Sequence, residues 1–154
     1  MRTSTICFTG HRRLSSQDLA TLSDSLEALV KSYAANGFDT FCTGGALGFD
    51  TLAAQTVLKL KAAGAPIKLI LILPCPQQTR GWKSDHIAVY EQIKSASDEI
   101  VYTSDRYTRG CMFKRNRALV DRSALCVAFL RKKTGGTAYT VRYAEAQGVP
   151  VVHI

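Results

Sequence analysis

Three threonine–glycine elements stand out because each one follows a short apolar run. They are Thr9-Gly10, Thr43-Gly44-Gly45 and Thr134-Gly135-Gly136-Thr137. Glycine lets the backbone approach a ligand closely, and the free N–H groups at the start of a following helix attract anions. Threonine hydroxyl groups add hydrogen-bond donors. The three elements together predict a binding edge for an anionic ligand such as a phosphate.

The second element is the richest in glycine. Gly44, Gly45 and Gly48 lie close together, and Asp50 follows at the expected start of a helix. We expect the backbone N–H groups of this turn to form the floor of a pocket. Asp50 either caps the helix or accepts hydrogen bonds from a ribose or a base, and both roles stay open. The chain has neither a GxxxxGK[ST] loop nor a GxGxxG turn after its first strand, so it is predicted to be neither a P-loop NTPase nor a conventional NAD enzyme.

Side chains outside the glycine turns complete the candidate site. Trp82 is the only tryptophan and lies in a polar loop, where it either stacks on a base or packs the loop against the protein. Arg115, in the predicted fourth helix, either faces solvent or binds a phosphate through two N–H groups. The remaining candidates adjoin these residues or the first turn: His11, Arg12 and Asn116.

The elements that position these residues follow from the apolar pattern. Six short apolar segments alternate with five segments of helical periodicity, which predicts a parallel sheet with helices on both faces. The fold class is therefore α/β, a three-layer Rossmann-like domain of about six strands spanning residues 1–154. In such a sheet, ligands bind beyond the carboxyl ends of the strands. The predicted strands are 6–9, 38–43, 67–74, 99–103, 124–130 and 149–154; the helices run from Ser15 or Ser16 to Gly37, then over 50–63, 84–96, 112–122 and 136–147.

Positive charge is concentrated in one segment. The net charge is +8, and residues 105–133 hold nine Lys or Arg against two acids. This segment either binds phosphates or nucleic acid, or forms a solvated face.

The apolar segments are too short to span a bilayer and the start of the chain lacks an apolar signal, so a cytoplasmic location without membrane contact is expected. Five cysteines occur without a CxxC pair, and neither a metal site nor a cofactor is predicted.

The motifs together resemble the YpsA-like family of the SLOG superfamily of Rossmann-like domains. The resemblance rests on "FTGHR", "TGGALGFD", the loop tryptophan, "FKRNRALVDRSA" and "GGTAYTVRYA", in that order. It implies a pocket for a nucleotide-derived ligand, and relatives suggest a homodimer. The family's glycine-plus-acid element falls on Gly44, Gly48 and Asp50, and its basic helix motif falls on residues 114–116.

Two related families imply different activities. The LONELY GUY phosphoribohydrolases have a helix motif that resembles residues 112–116, but Thr140 stands where their catalytic glutamate is expected. If the chain were such a hydrolase, Asp50 would be the best catalytic candidate and Asp121 the next. The DNA-processing protein A family binds single-stranded DNA and has an R-N-R that resembles residues 115–117. We expect a nucleotide-binding sensor or regulatory protein, with a hydrolase and a DNA-binding protein as alternatives.

Overall fold

The strands and helices alternate along the chain as the apolar pattern predicts. In the computed structural model, which describes residues 2–154, six strands and five α-helices follow a short 3₁₀ helix at Arg2–Ser4. The strands are β1 Thr5–Gly10, β2 Thr40–Thr43, β3 Lys68–Leu73, β4 Glu99–Tyr102, β5 Leu125–Phe129 and β6 Val151–His153. The helices are α1 Ser16–Ala35, α2 Phe49–Ala62, α3 Ser84–Ala96, α4 Cys111–Asp121 and α5 Gly136–Ala146.

The six strands form one sheet in the order β4-β3-β2-β1-β5-β6, and every paired strand is parallel to its neighbour. The chain builds outward from β1 through β4, then crosses back to place β5 on the other side of β1. The connections that leave the carboxyl ends of β1 and β5 therefore run in opposite directions away from each other. Such a switch point opens a crevice at the carboxyl ends of the strands.

The helices form two layers on opposite faces of the sheet. Side chains of α1, α2 and α3 pack with Phe8 and Phe41 in one hydrophobic cluster, whereas α4 and α5 pack with Cys7 and Cys42 in another. Successive strand residues point to opposite faces, which explains why neighbours such as Phe41 and Cys42 belong to different clusters. The predicted three-layer α/β fold is confirmed. No helix within residues 2–154 is long and apolar enough to cross a membrane.

Local hydrogen bonds set the boundaries of the elements. Ser15 is the N-cap of α1, and its side chain and that of Asp18 each accept a hydrogen bond from the other's backbone N–H. Strand β2 begins two residues later than predicted. The N–H of Phe38 donates to the carbonyl of Tyr33 at the end of α1, and the Phe38 ring packs edge-on against the Tyr33 ring. Phe38 therefore completes the end of the helix instead of starting the strand.

Candidate functional site

A cleft of about 420 Å³ opens where β1 ends and where α4 and α5 begin. We call it the main cleft. It lies at the switch point between β1 and β5, the position where open α/β sheets bind ligands. Of the candidates from the sequence, it is lined by Thr9, Gly10, His11, Arg12, Asp50, Arg115, Asn116, Gly136 and Thr137.

Arg115 is a buried cation in the wall of the main cleft. Only 4% of the residue is exposed. Its Nε donates to Oδ1 of Asn116 at 2.8 Å, and its Nη1 donates to the carbonyl oxygen of Gly44. Burial lowers the pKa of Arg115, and the carboxylate of Asp50 opposes that shift. A guanidinium remains charged in a protein, so the cleft wall carries a fixed positive charge held largely by neutral acceptors.

Asp50 provides the complementary buried acid. It is the second residue of α2, and its Oδ2 accepts a hydrogen bond from the N–H of Ala46 at 3.2 Å. Burial raises the pKa of Asp50, while the positive charge of Arg115 and the Ala46 N–H act in the opposite direction. The main cleft thus has a buried carboxyl group, that of Asp50, and a buried guanidinium, that of Arg115, whose charges interact.

Residues of the glycine turn hold the side chains of Arg115 and Asp50 in place, although the three glycines do not line the main cleft. The Gly44 carbonyl accepts from Arg115 and also from Nε2 of Gln78 at 3.1 Å. The N–H of Ala46, which we expected to face a ligand, donates to Asp50. Of this turn only Ala46 and Asp50 line the cleft, and Gly44, Gly45 and Gly48 do not. The Gly44 carbonyl and the Ala46 N–H of this turn thus position charged side chains.

Glycine at position 48 is required by the close approach of two backbone segments. Gly48 has a φ of +78°, and a Cβ there would lie 2.2 Å from the carbonyl oxygen of Arg12. The N–H of Phe49 donates to the carbonyl of His11 at 3.1 Å. The start of α2 is therefore fastened to the loop that follows β1, and this loop carries His11 and Arg12 into the main cleft.

Several other predicted residues lie outside the main cleft. Thr43 is fully buried at the end of β2, and its hydroxyl finds no hydrogen-bond partner among the described residues. Gly135 is the N-cap of α5 with a φ of +98°. Trp82 lines a neighbouring cleft and packs edge-on against Tyr90, with 5.4 Å between ring centroids.

The structure also separates the residues considered for hydrolysis. The Thr140 hydroxyl is buried and donates to the Gly136 carbonyl at 2.9 Å. Asp121 lines a different cleft of about 650 Å³ at the amino ends of β2, β3 and β4, which we call the opposite cleft. It accepts a hydrogen bond from the Tyr143 hydroxyl at 2.6 Å. Helix α4 runs from the carboxyl edge of the sheet to its amino edge, so Asp121 at its end lies far from the main cleft. Asp50 is therefore the carboxylate in the main cleft.

Sequence reasoning missed two residues that shape the site. Gln78 is buried and links the Gly44 carbonyl to the Tyr90 hydroxyl, which donates to its Oε1 at 3.0 Å. The available signal was a pair of glutamines after the Pro-Cys-Pro segment that follows a buried strand. Phe113 lines the main cleft although 43% of it is exposed, and its ring lies 4.5 Å from that of Tyr139.

His11 joins two of the loops at the carboxyl edge. Its Nε2 accepts a hydrogen bond from the backbone N–H of Arg131 at 2.8 Å, and its ring packs edge-on against Phe129. Burial lowers the pKa of His11, and the positive charges of Lys132 and Arg131 lower it further. The neutral imidazole is therefore the form that holds the two loops together.

This arrangement predicts a stability that depends on pH. Because the folded protein holds the pKa of His11 below 6.5, the unfolded chain binds more protons in that range. Stability should therefore be full above about pH 6.5 and should fall as the pH decreases toward the lowered value. In thermal denaturation from pH 5 to 8, His11→Gln should flatten this part of the profile, while His86→Gln on α3 serves as the matched control. Identical profiles for wild type and His11→Gln would contradict the assignment.

The family of the chain follows from sequence comparison. A family model named YpsA, described as the YspA SLOG family, matches residues 6–149. A UPF0398 protein of Bacillus thuringiensis (strain Al Hakam) is 28% identical over 127 residues, which cover 80% of this chain and 69% of that protein. A UPF0398 protein of Bacillus cereus (strain AH820) is 27% identical over the same length.

Solved structures share the fold. DNA processing protein A from Helicobacter pylori, described for its single-stranded DNA binding mode, aligns with a TM-score of 0.68 and 20% identity over 97% of this chain. The Streptococcus pneumoniae protein of that name aligns with a TM-score of 0.70 and 15% identity over 97% of this chain. This chain spans 64% and 49% of those two chains, respectively.

A molybdenum cofactor binding protein from Rippkaea orientalis aligns with a TM-score of 0.63 and 24% identity, over 99% of this chain and 77% of that one. At these identities the likeness establishes the fold alone. No group of three or more His, Cys, Asp or Glu side chains that could hold a metal ion occurs within residues 2–154. The sequence motifs, the sheet topology and the match over residues 6–149 agree, and the chain belongs to the YpsA (YspA) SLOG family.

Proposed function

We propose that the chain binds a nucleotide or nucleotide-derived ligand in the main cleft and acts as a sensor or regulatory binding protein. The observation that carries this proposal is the buried guanidinium of Arg115 in the cleft wall. Burying a cation is costly unless it is paired and hydrogen-bonded, and here Asp50 and the oxygens of Gly44 and Asn116 compensate for the burial. A phosphate in the cleft would be attracted by this charge and by that of Arg12.

The neighbouring groups suit the remainder of such a ligand. Helices α4 and α5 both begin at the main cleft, and the partial positive charge of a helix N-terminus favours a phosphate. Thr137 supplies a hydroxyl and Asn116 an amide, both of which can bond phosphate or ribose oxygens. His11 contributes a neutral imidazole, which does not compete with the arginines for the negative charge of the phosphate.

A nucleotide hydrolase is the second candidate, and one observation favours it. Asp50 is a buried carboxyl with a raised pKa in the main cleft, which is a property of catalytic acids and bases. Thr140 cannot take this role, because its hydroxyl is held by the Gly136 carbonyl. Release of free base from nucleoside monophosphates over many turnovers, lost in Asp50→Asn, would establish the hydrolase instead of the sensor.

A nucleic-acid partner is the third candidate and rests on the basic segment 105–133 together with the fold shared with DNA processing protein A. Binding of single-stranded oligonucleotides that weakens steeply with salt would support it. The homodimer and the cytoplasmic location expected from the sequence belong to the same proposal. Sedimentation of the purified protein, with and without nucleotide, tests the dimer.

Gly136 offers a way to block the main cleft without disturbing the fold. Its φ lies outside the left-handed region, and a Cβ there would contact only Nδ2 of Asn116, at 3.8 Å. Gly136→Val should therefore fold normally and place two methyl groups in the main cleft. We expect calorimetric titration with AMP, ADP, GDP, CDP and UDP to show binding to the wild type and a loss of at least tenfold in Gly136→Val.

The matched control for this variant is Ser16→Val, which places valine at the exposed first residue of α1. It should bind nucleotide as the wild type does. Equal affinity in Gly136→Val and wild type would remove the main cleft as the binding site, and an absence of binding by every nucleotide would refute the proposed function.

A further inference from the structure

A second cleft adjoins the main cleft and has a different chemical character. It encloses about 400 Å³ and is lined by residues of the loop before α3, the loop before α4, and by Arg12 and Met112. Arg12 and Met112 also line the main cleft, so the two clefts lie side by side and share a wall. We call the second one the aromatic cleft, because Trp82 and Tyr107 both line it.

The lining of the aromatic cleft suits a flat heteroaromatic group. The rings of Trp82 and Tyr107 provide stacking surfaces that accept any base. The exposed amide of Gln77 can donate to and accept from the edge of a base, as glutamine does in base recognition. Arg80 and the shared Arg12 add positive charge at the border of the cleft. The main cleft has charged and hydroxyl groups, and its aromatic rings besides His11 are those of Phe8 and Phe113, which carry no polar group.

The loop that carries Trp82 is held in place before any ligand arrives. Three successive turns are closed by hydrogen bonds between backbone groups. The N–H groups of Gln78, Arg80 and Trp82 donate to the carbonyl oxygens of Cys75, Gln77 and Thr79, respectively. The Trp82 ring packs edge-on against Tyr90, whose hydroxyl is bonded to Gln78. A ring held in this way loses little conformational entropy when a base stacks on it.

Tyr107 lies at the aromatic cleft without being buried there. With 62% of its surface exposed, it is the most exposed of the large apolar side chains in the described part of the chain. Packing within the fold therefore does not account for its ring. A tyrosine beside a cleft, with its face free, is well placed to cover a base bound in that cleft.

We propose that the aromatic cleft binds the base of a nucleotide whose ribose phosphate enters the main cleft. This inference rests on the proposed function, and it assigns the two parts of the ligand to two neighbouring compartments. Arg12, which lines both clefts, contacts the phosphate where the ligand passes from one to the other. The class of ligand is thus a nucleotide recognised through its base as well as its phosphate.

The experiment compares nucleotides with ribose 5-phosphate, which lacks a base. Because Trp82 is the only tryptophan, its fluorescence reports directly on the aromatic cleft. We expect at least one of AMP, ADP, GDP, CDP and UDP to change this fluorescence, and ribose 5-phosphate to leave it unchanged. Tyr107→Ala should weaken that nucleotide about tenfold by removing a stacking surface, without weakening ribose 5-phosphate.

The control is Tyr102→Ala on β4, which removes another exposed tyrosine that lines neither cleft. It should leave both affinities unchanged. Nucleotide binding that is lost in Gly136→Val but unaffected by Tyr107→Ala, with constant Trp82 fluorescence, would overturn the inference and leave the proposed function standing. If ribose 5-phosphate and every nucleotide fail to bind, both fall. An equal loss of ribose 5-phosphate in Tyr107→Ala would also overturn the inference.

Discussion

Replacing Gly48 by alanine should lower the free energy of unfolding by about 4 kcal/mol. The substitution combines backbone strain with a steric clash that no side-chain rotation can relieve. Alanine rarely adopts the φ of +78° found here. Its Cβ would lie 2.2 Å from the carbonyl oxygen and 2.5 Å from the carbonyl carbon of Arg12. Both are backbone atoms, so relief would require the loop after β1 to move away from α2. Urea denaturation at equilibrium measures the effect.

Gly64 provides a matched control for the strain alone. Its φ is +104°, but a Cβ there would have no atom within 4 Å. Gly64→Ala should therefore cost only about 1–2 kcal/mol, which represents the unfavourable backbone conformation. The difference between the two variants isolates the contact with Arg12. Equal urea midpoints for Gly48→Ala and Gly64→Ala would show that the two segments do not meet as described.

Replacing Arg115 by methionine should lower the free energy of unfolding by about 3–5 kcal/mol at neutral pH. The substitution keeps much of the apolar volume but removes the cation whose charge interacts with buried Asp50. It also deprives the Gly44 carbonyl of one of its two donors. Lys114→Met, on the exposed face of the same helix, is the control and should cost less than about 0.5 kcal/mol.

The effect of Arg115→Met should depend on pH in a direction that identifies Asp50 as the cause. Burial raises the pKa of Asp50 and Arg115 opposes this, so the pKa of Asp50 should rise further in the variant. A group whose folded-state pKa is raised binds more protons when folded, and stability then falls as the pH increases through the raised pKa.

The substitution should therefore cost less at pH 5 than at pH 8, and adding Asp50→Asn should restore part of the loss. If the cost is the same at both pH values, and Asp50→Asn does not reduce it, then the two buried charges are not coupled. Denaturant titrations at the two pH values provide the measurement.

The fold could be predicted from the sequence because its signals are local. Alternating apolar segments and helical periodicity identify each element, and Ser15 marks the start of α1 through contacts three residues apart. The placement of the threonine–glycine turns at one edge follows from parallel strands alone. The apolar character of Phe38 fits a strand as well as the end of a helix, and only its contacts with Tyr33 decide between them.

The candidate site was predictable in part. A parallel sheet brings the ends of β1 and β5 together, which is why residues 9–12 and 136–137 line one cleft. The roles within the glycine turn were not accessible, because they depend on contacts between residues far apart in sequence. Arg115 bonds to Gly44 across 71 positions and Gln78 across 34. The same holds for Trp82, since nothing local shows that it lines the cleft next to the one that holds Arg115.

A crystal structure with the nucleotide that binds most tightly in the calorimetric panel tests most directly whether the main cleft binds a nucleotide. We expect phosphate oxygens within hydrogen-bond distance of Arg12, Asn116 or Thr137, at the edge of the sheet where α4 and α5 begin. A nucleotide bound instead in the opposite cleft, against Asp121 and Arg122 at the amino ends of the strands, would contradict it.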